Sequence, residues 1–514
     1  MADASRSRMF TNLAANQLGF VLPVVITFFL SPFVVHTLGD DIYGLWSLIV
    51  SFTGHYSILT LGIQSAATRY VAYAAGRGER DAMNKTVSSS LAMLLPAAAL
   101  TMLVGAVLAI GLEHWFDVPH DHLRSARIAC LFVAATAATN FATAIFACLL
   151  TAHQRFDTLN VVRTGAFALR SALTVVLLLN GYRIVALAVL GFGMMAISGI
   201  VFALAARRQA GEWAIGRRWV DRESVRTLFG YGVKSFVGTT GMLLKYQTDL
   251  FLVGLFLAPA DIAMYSLGAT LLTYVVQFVH TLVHVFEPWA TQRYARDGVE
   301  GLRGLFLSGS AFFYALGGLL VGGILVFARP FYSLWIDPEH VQAGSILMVL
   351  SIPIFFTMGA RFAHAFLVAM ARIGTFNVVG LVAGLAKVAL AAVLIPRYGL
   401  SGAAWSAVLP FVVAEGLWFV PFISRVLGVS AWRVLFGSIG RGVLVGLVTF
   451  GAGIGATRWI DPTSWLRLTA GVALAGAAGL VLAWGLLPRR LGDLDWRRAV
   501  ARKLGLRTPG EVVA

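Results

Sequence analysis

The sequence is poor in charged residues. Only 12% of its 514 residues are Asp, Glu, Lys or Arg, whereas a soluble domain carries about 25%. With 58% hydrophobic residues and a mean hydropathy of +0.80, the chain cannot cover a water-facing surface. The composition therefore excludes a soluble globular protein and indicates a protein that is embedded in a membrane.

Cysteine is nearly absent as well. Cys130 and Cys148 are the only two. Both fall in one predicted helix, where the positions between them advance about 27 Å along the axis. A disulfide needs Cα atoms within about 7 Å of each other, so these two thiols cannot bridge. The sequence therefore predicts no disulfide and no redox role for cysteine.

Motifs of enzymatic chemistry are missing. The sequence contains no P-loop GxxxxGK[ST], no HExxH and no GxSxG. The longest predicted outside segments, 113–124 and 328–340, are too short for a catalytic domain. We therefore expect a protein that is not an enzyme. An enzyme acting on lipid-linked sugars, such as a polymerase or ligase, is the minor alternative.

Long apolar runs fill most of the chain. The run from Leu91 to Leu112 reaches the roughly 20 apolar residues that span a bilayer core. About 14 such segments lie between residues 12 and 487, among them one near 43–67 and one near 229–257. The segments do not alternate in units of about ten residues, as the strands of a membrane barrel would. We therefore predict an all-α polytopic membrane protein with about 14 transmembrane helices.

The positive charge follows the membrane topology. The net charge is +16 and the isoelectric point is about 10.3. With the amino terminus inside, inside segments hold about 27 of the 40 Lys and Arg and outside segments about 7, as the positive-inside rule expects. Topology explains the basicity, so we expect no nucleic-acid partner. The same charge distribution predicts that both termini are cytoplasmic.

One short phrase occurs twice. Residues 155–162 read RFDTLNVV and residues 372–379 read RIGTFNVV, 217 positions apart. An even number of predicted spans separates the copies, which indicates a parallel repeat related by an axis along the membrane normal. The repeat predicts two halves of six helices each. The predicted division is an N-terminal lobe 1–206, a cytoplasmic linker 207–228, a C-terminal lobe 229–424, two additional helices 425–487 and a basic cytoplasmic tail 488–514.

The repeat also places one cation in each half. Arg170 and Lys387 each follow the repeated Asn by ten residues, which is about 15 Å of helix and half of a 30 Å hydrocarbon core. A charge at that depth is costly when it faces lipid. We therefore expect both side chains to face an aqueous cavity or a partner. The alternative is a structural residue that is buried against a helix or reaches to the interface.

Other ionisable residues lie within predicted spans. Lys245 and Asp249 are four positions apart, close enough to pair on one helix face. They form either a neutralised structural pair or a site where Asp249 takes up H⁺ or Na⁺ and releases Lys245. Arg361 is a further cavity candidate, and Glu415 is its partner or a proton site.

His280, His284 and Glu287 follow one another at spacings of four and three in one predicted span. A zinc site needs three or four converging ligands. A polar stripe facing the cavity, or a proton relay, therefore explains the pattern better than a metal, and we expect no metal site.

Several motifs resemble those of the Wzx-type flippases for lipid-linked oligosaccharides, which belong to the multidrug/oligosaccharidyl-lipid/polysaccharide (MOP) exporter superfamily. They cover most of residues 10–425. The motifs are LGDDIYGLW from Leu38, TLGIQSAATRYVA from Thr60, AHQRFDTLNVV from Ala152, TDLFLVGLFLAPADIAMYSLG from Thr248 and IPRYGLSGAAWSAV from Ile395.

The resemblance implies two six-helix lobes, alternating access and cavity cations that bind a pyrophosphate-linked cargo. On physical grounds the candidate cations are Arg170, Lys387, Arg361 and Lys245. The expected function is export of undecaprenyl-pyrophosphate-linked oligosaccharide, with the bilayer and this cargo as partners and the polysaccharide polymerase machinery as a further one. No cofactor is expected; H⁺ and Na⁺ are the candidate coupling ions.

Two alternatives share this fold. The two extra C-terminal spans resemble those of the fourteen-span lipid II flippases. A MATE-like ion-coupled exporter of small molecules would use acidic residues for cations, and predicted span one contains no acid.

Overall fold

The structure is a computed structural model that describes residues 21–284, 286–488, 490–491 and 494–495. The described residues are almost entirely helical, which confirms the predicted all-α fold class. Two-residue strands at Arg490–Leu491 and Leu494–Asp495 form an antiparallel pair. The helices are α1 Val21–Leu38, α2 Asp40–Tyr56, α3 Ile63–Arg77, α4 Arg80–Trp115, α5 His120–Ala152, α6 Phe156–Leu179, α7 Ile184–Gln209, α8 Arg222–Tyr246, α9 Asp249–Phe256, α10 Pro259–His284, α11 Phe286–Trp335, α12 Val341–Ala369, α13 Gly374–Phe411, α14 Phe419–Leu427, α15 Ala431–Val434, α16 Gly440–Trp459 and α17 Trp465–Leu486.

Ten helical stretches of the described residues are long and apolar enough to cross a membrane, or eleven with one bent pair. Two of these stretches, Pro259–Trp335 and Gly374–Leu427, are 77 and 54 residues long. A single crossing needs about 20 residues, so each is long enough for more than one. Gly298 and Gly399 interrupt the helical backbone inside them. The chain is a multi-pass membrane protein, and the count of 14 crossings stays a prediction.

Two spans predicted as continuous helices are broken. The segment predicted over 43–67 bends by 57° between a 3₁₀ turn and α3, because Leu61 and Gly62 both adopt the left-handed conformation. The segment predicted over 229–257 ends its first helix at Tyr246 and starts a second at Asp249. The assumption that Lys245 and Asp249 share one continuous helix was therefore wrong.

The repeated phrase has the same backbone in both copies. After α5, the N–H groups of His153, Gln154 and Arg155 donate to the carbonyls of Leu149, Thr151 and Leu150. After α12, the N–H groups of Met370, Ala371 and Arg372 donate to Phe366, Val368 and Leu367, with every residue 217 positions further on.

The left-handed residues of the two copies also correspond. Gln154 has φ 56° and Ala371 has φ 55°. Gly211 and Gly428, again 217 apart, end α7 and α14 with φ 70° and 64°. The repeat is thus visible in the turns that bound these helices, while the six-helix lobes stay a prediction.

The contacts of the chain define two compact units, Met1–Ser266 and Leu267–Ala514. The first unit therefore ends well beyond the linker proposed at 207–228. The reason lies in α8, which packs on α3 and α4. A Cβ on Gly232 of α8 would lie 2.5 Å from the Leu61 carbonyl oxygen, so the two backbones touch there.

In the second unit, α11 packs on α12 through an aromatic core. Phe313 and Phe362 stack with ring centroids 4.7 Å apart, and Phe306 and Phe366 meet edge to face at 5.7 Å. All four side chains are buried. Offset and edge-to-face ring pairs stabilise such a core beyond the burial of their area.

The added helix α16 packs against α11 through small residues. A Cβ on Gly318 would lie 2.1 Å from the Gly442 carbonyl oxygen, and one on Gly322 would lie 2.5 Å from that of Gly446. Both helices thus carry a GxxxG pattern at their contact, which lets membrane helices approach closely.

Candidate functional site

A cavity of about 580 Å³ opens inside the first unit, between α3, α5, α6 and α7. The described residues of its lining are polar for a membrane protein and include no Asp or Glu. The lining residues are Gln64, Ser65, Thr68, Thr136, Asn140, Thr143, Ala144, Ala147, Cys148, Thr151, Arg163, Ala166, Phe167, Arg170, Gly191, Met194, Met195, Ser198 and Phe202.

Two arginines supply the charge of this cavity. Arg163 and Arg170 lie seven positions apart on α6, so they share one face and are separated by two turns, about 10.5 Å. Both side chains are solvent-accessible, and within the described residues neither forms an ion pair. An arginine at membrane depth without an acidic neighbour leaves its charge to be met by water or by a ligand.

The two arginines approach different helices. A Cβ on Gly191 of α7 would lie 3.7 Å from the nearest guanidinium nitrogen of Arg170, so this guanidinium packs over the glycine. Arg163 lies near the Cys148 thiol of α5, whose sulfur is 3.1 Å from the Thr68 hydroxyl oxygen. The cavity therefore offers two positive positions, one beside α7 and one beside α5.

The hydroxyl groups of the lining donate mainly to their own helices. Thr136, Thr143, Thr151 and Ser198 each donate to the carbonyl four positions earlier, at 2.7 to 2.8 Å. A hydroxyl has one hydrogen to donate and two lone pairs. With the hydrogen engaged, the oxygens are left to accept hydrogen bonds, and the guanidinium groups are the strong donors of the cavity.

Gln64 adds an amide to the same wall. Its Nε2 is buried and has no acceptor among the described residues. A buried donor without an acceptor costs free energy, so this amide would gain from a ligand that carries oxygen atoms.

The sequence predicted one of the two arginines. Arg170 was expected to face an aqueous cavity or a partner, and it lines this cavity; its role in binding stays a prediction. Arg163 was missed, although it stands in the same predicted span one heptad earlier. Its spacing from Arg170 was the signal that could have found it.

Lys387 has a different environment from Arg170. It lies on α13 in the second unit and is fully buried, with 0% of its surface exposed. Arg361 on α12 is half-buried. Both take part in polar interactions inside the protein, and neither lines the cavity of the first unit.

Glu415 lies in a π-helical turn, Val412–Trp418, in the second unit. The Thr357 hydroxyl of α12 donates to its carboxylate at 2.5 Å. Such π turns occur frequently at functional sites because they re-aim side chains in a helix. The carboxylate is half-buried and hydrogen-bonded, and its proposed role in ion coupling stays a prediction.

The other predicted site residues do not gather around the cavity. Lys245, in the last turn of α8, contacts the ring of Tyr246 at 5.2 Å, and Asp249 starts α9 beside Tyr265. His280 lies on α10 and Glu287 in the first turn of α11, both half-buried. The side chain of His284 lies outside the described residues. Among the described residues no three His, Cys, Asp or Glu come together as metal ligands would.

Comparison with solved structures identifies the class of this fold. The lipid II flippase MurJ, in an inward closed conformation, matches with a TM-score of 0.69 and 11% identity over 96% of this chain and 99% of MurJ. An inward-facing MATE-family multidrug resistance transporter of the MOP superfamily matches with a TM-score of 0.63 and 15% identity over 80% and 99%. The protein has the fold of the MOP-superfamily transporters.

The family follows from the sequence. A model of the polysaccharide biosynthesis protein family matches residues 8–293, and the chain belongs to this family. A relative, the uncharacterized membrane protein EpsK of Bacillus subtilis (strain 168), is 24% identical over 450 residues, which cover 84% of this chain and 86% of EpsK.

Proposed function

We propose that the protein is a flippase that moves undecaprenyl-pyrophosphate-linked oligosaccharide across the bacterial inner membrane for polysaccharide biosynthesis. The observation that carries this proposal is the cavity of the first unit, which holds Arg163 and Arg170 and has no acid among the described residues of its lining. A polar head group cannot cross hydrocarbon alone, since each unsatisfied polar group costs several kcal/mol.

The lining suits both parts of such a head group. Guanidinium groups bind phosphate oxygens through charge-assisted, often paired hydrogen bonds. The Thr and Ser oxygens, whose hydrogens are engaged by helix carbonyls, accept hydrogen bonds from sugar hydroxyls. The lipid tail would stay in the bilayer while the head group passes through the protein by alternating access.

The membrane potential favours this direction of transport. Moving two negative charges outward from a negative interior gains about 4 to 5 kcal/mol per 100 mV. Exchange with H⁺ or Na⁺ is a further source of energy. The candidate residues for this coupling are Asp249, Glu415, His280, His284 and Glu287.

We assign the second unit a supporting role in the cycle. Lys387, Arg361 and Lys245 are the remaining candidates for cargo binding. Because Lys387 is fully buried, it would reach the cargo only in another state of the transport cycle. The proposal places both termini in the cytoplasm and includes the polysaccharide polymerase as the partner that receives the exported lipid.

The test is transport by the double variant Arg163→Gln/Arg170→Gln. It is measured as restored surface polysaccharide in a flippase-null strain and as flipping of a pyrophosphate-linked glycolipid in proteoliposomes. Each lost charge-assisted bond costs about 1.5 to 3 kcal/mol, so we expect flipping to fall at least tenfold for each arginine.

The control is Arg127→Gln. Arg127 lies on α5, and its guanidinium binds Glu113 at 2.9 Å rather than lining the cavity. Wild-type flipping by the double variant at equal expression would refute the proposal.

A lipid II flippase is the second candidate, because the fold of this chain is similar to that of the lipid II flippase MurJ over 99% of MurJ's length. Both cargoes carry a lipid pyrophosphate and differ in the sugar. Rescue of a strain depleted of its lipid II flippase, with no rescue of surface polysaccharide, would favour this candidate. A MATE-like exporter of cations fits less well, because no carboxylate in the described part of the chain lines the cavity.

A further inference from the structure

The segment between α7 and α8, residues 210–221, lies along the N-terminal part of α4 and is hydrogen-bonded to it. The N–H groups of Ala214, Gly216 and Asp221 donate to the side chains of Asn84, Ser88 and Ser89, at 2.8, 3.3 and 3.2 Å. These three acceptors are at most 7% exposed. A segment that the sequence predicts as a linker is therefore fixed to one helix by buried polar side chains.

Both ends of this segment are anchored as well. Trp213 donates through Nε1 to the Ala206 carbonyl at 3.1 Å and packs against the ring of Phe146. At the other end Asp221 caps α8 by accepting from the N–H and hydroxyl of Ser224. These donors lower the pKa of the Asp221 carboxyl, which therefore stays charged and engaged with its own helix.

The fixed segment presents apolar and basic side chains together. Ile215 is 38% exposed and Val220 is 42% exposed. Between them Arg217 and Arg218 are exposed, and Arg218 lies over the ring of Trp219 at 5.4 Å. Within the described residues neither arginine forms an ion pair, and the nearby Glu212 is engaged by Arg80.

The position of this surface relative to the membrane indicates which kind of ligand it binds. It follows α7, a helix long and apolar enough to cross the membrane, whose last turn carries Arg207 and Arg208. The surface therefore lies near the level of the lipid headgroups on the predicted cytoplasmic side. Trp is enriched at that level, and Arg near the surface is attracted to anionic lipid. The buried Nε1 of Trp219 has no acceptor among the described residues.

We propose that residues 215–220 form a binding site for an anionic phospholipid. Arg217 and Arg218 bind the headgroup phosphate, and Ile215 and Val220 enter the upper acyl region. Because the backbone is already fixed on α4, little ordering is needed when the lipid binds. This site is separate from the cargo cavity, and the proposal does not depend on the proposed transport function.

The test measures lipid binding by the full-length protein. Wild type and Arg217→Gln/Arg218→Gln are compared in nanodiscs of phosphatidylcholine alone and of phosphatidylcholine mixed with phosphatidylglycerol, by native mass spectrometry and thermal unfolding. Each arginine near an anionic surface contributes about fivefold to binding, so we expect the double variant to bind phosphatidylglycerol about 30-fold more weakly. The stabilisation of wild type by this lipid should be lost in parallel.

The matched control is Arg458→Gln/Arg467→Gln, which removes the same charge from two exposed arginines around the α16–α17 turn. This variant should keep the wild-type response. An equal loss in both variants would show a general effect of net charge and overturn the site. The same stabilisation by inorganic phosphate in phosphatidylcholine nanodiscs would overturn the assignment to a lipid, and unchanged binding by the Arg217/Arg218 variant would overturn the proposal outright.

Discussion

Arg170 and Lys387 occupy the same position in the two copies of the repeat, 217 residues apart, and their surroundings are opposite. Arg170 is accessible and lines an open, polar cavity of the first unit. Lys387 is fully buried in the second unit. The turns that precede both helices share the same three backbone hydrogen bonds. The difference therefore arises from the side chains around each of the two residues, because the backbone of the preceding turns is the same.

Two further pairs of equivalent positions also differ between the two units. Ala144 and Asn140 line the cavity of the first unit. The residues 217 positions further on are Arg361 and Thr357, and Thr357 donates to Glu415. A charged arginine thus stands in the second unit where the first has an alanine. The comparison teaches that equivalent positions of a repeat can line an open cavity in one unit and carry interacting polar side chains in the other.

The largest expected effect is on stability in the second unit. Lys387→Ala removes a fully buried side chain and its polar interaction, and truncating a large buried side chain to alanine costs about 2 to 5 kcal/mol. We expect a lower unfolding temperature and less folded protein in detergent, measured by size-exclusion fluorescence. A Lys387→Ala variant as stable as wild type would remove the distinction between the two positions.

The next effect is on transport without loss of stability. Arg170→Gln should unfold at the wild-type temperature, because its guanidinium is accessible and forms no ion pair among the described residues. Flipping should fall about 10- to 150-fold, which corresponds to a charge-assisted bond of about 1.5 to 3 kcal/mol. Arg170→Lys keeps the charge and should recover part of the rate. Destabilisation as large as that of Lys387→Ala would indicate a structural role instead.

A smaller effect compares the glycines that end α7 and α14. Gly211→Ala and Gly428→Ala both force a side chain into the left-handed conformation, at a cost of about 1 to 2 kcal/mol. A Cβ on Gly211 meets open space, whereas one on Gly428 would lie 2.8 Å from an Arg303 nitrogen. Arg303 donates to the Leu427 carbonyl at 2.9 Å. Gly428→Ala should therefore lower the unfolding temperature more than Gly211→Ala, and the reverse order would contradict this account.

The smallest effect tests the repeat itself. Gln154→Gly and Ala371→Gly relieve left-handed backbone strain at equivalent turns, and each should change stability by about 1 kcal/mol or less in the stabilising direction. The two gains should be similar, because the turns have the same φ and the same hydrogen bonds. Thermal unfolding of the two single variants measures this, and opposite signs would show that the turns are not equivalent.

The sequence by itself determined the membrane setting, the helical class and the repeat. Low charge and long apolar runs leave only membrane-spanning helices, since lipid offers backbone groups no hydrogen bonds. The phrase that recurs at Arg155 and Arg372 predicted equivalent helices, and the shared turns agree with it. A cation at residue 170 could be proposed as functional because a charge inside a bilayer is costly and is rarely left facing lipid.

Only the tertiary structure decided which cation is accessible. The spacing of residues in the sequence gives the depth of a residue in the membrane and the helix face on which it lies. The residues of neighbouring helices determine whether that face borders a cavity or is packed. The docking of residues 210–221 on α4 depends on contacts between segments far apart in the chain. Such contacts are set by packing, which no local pattern in the sequence records.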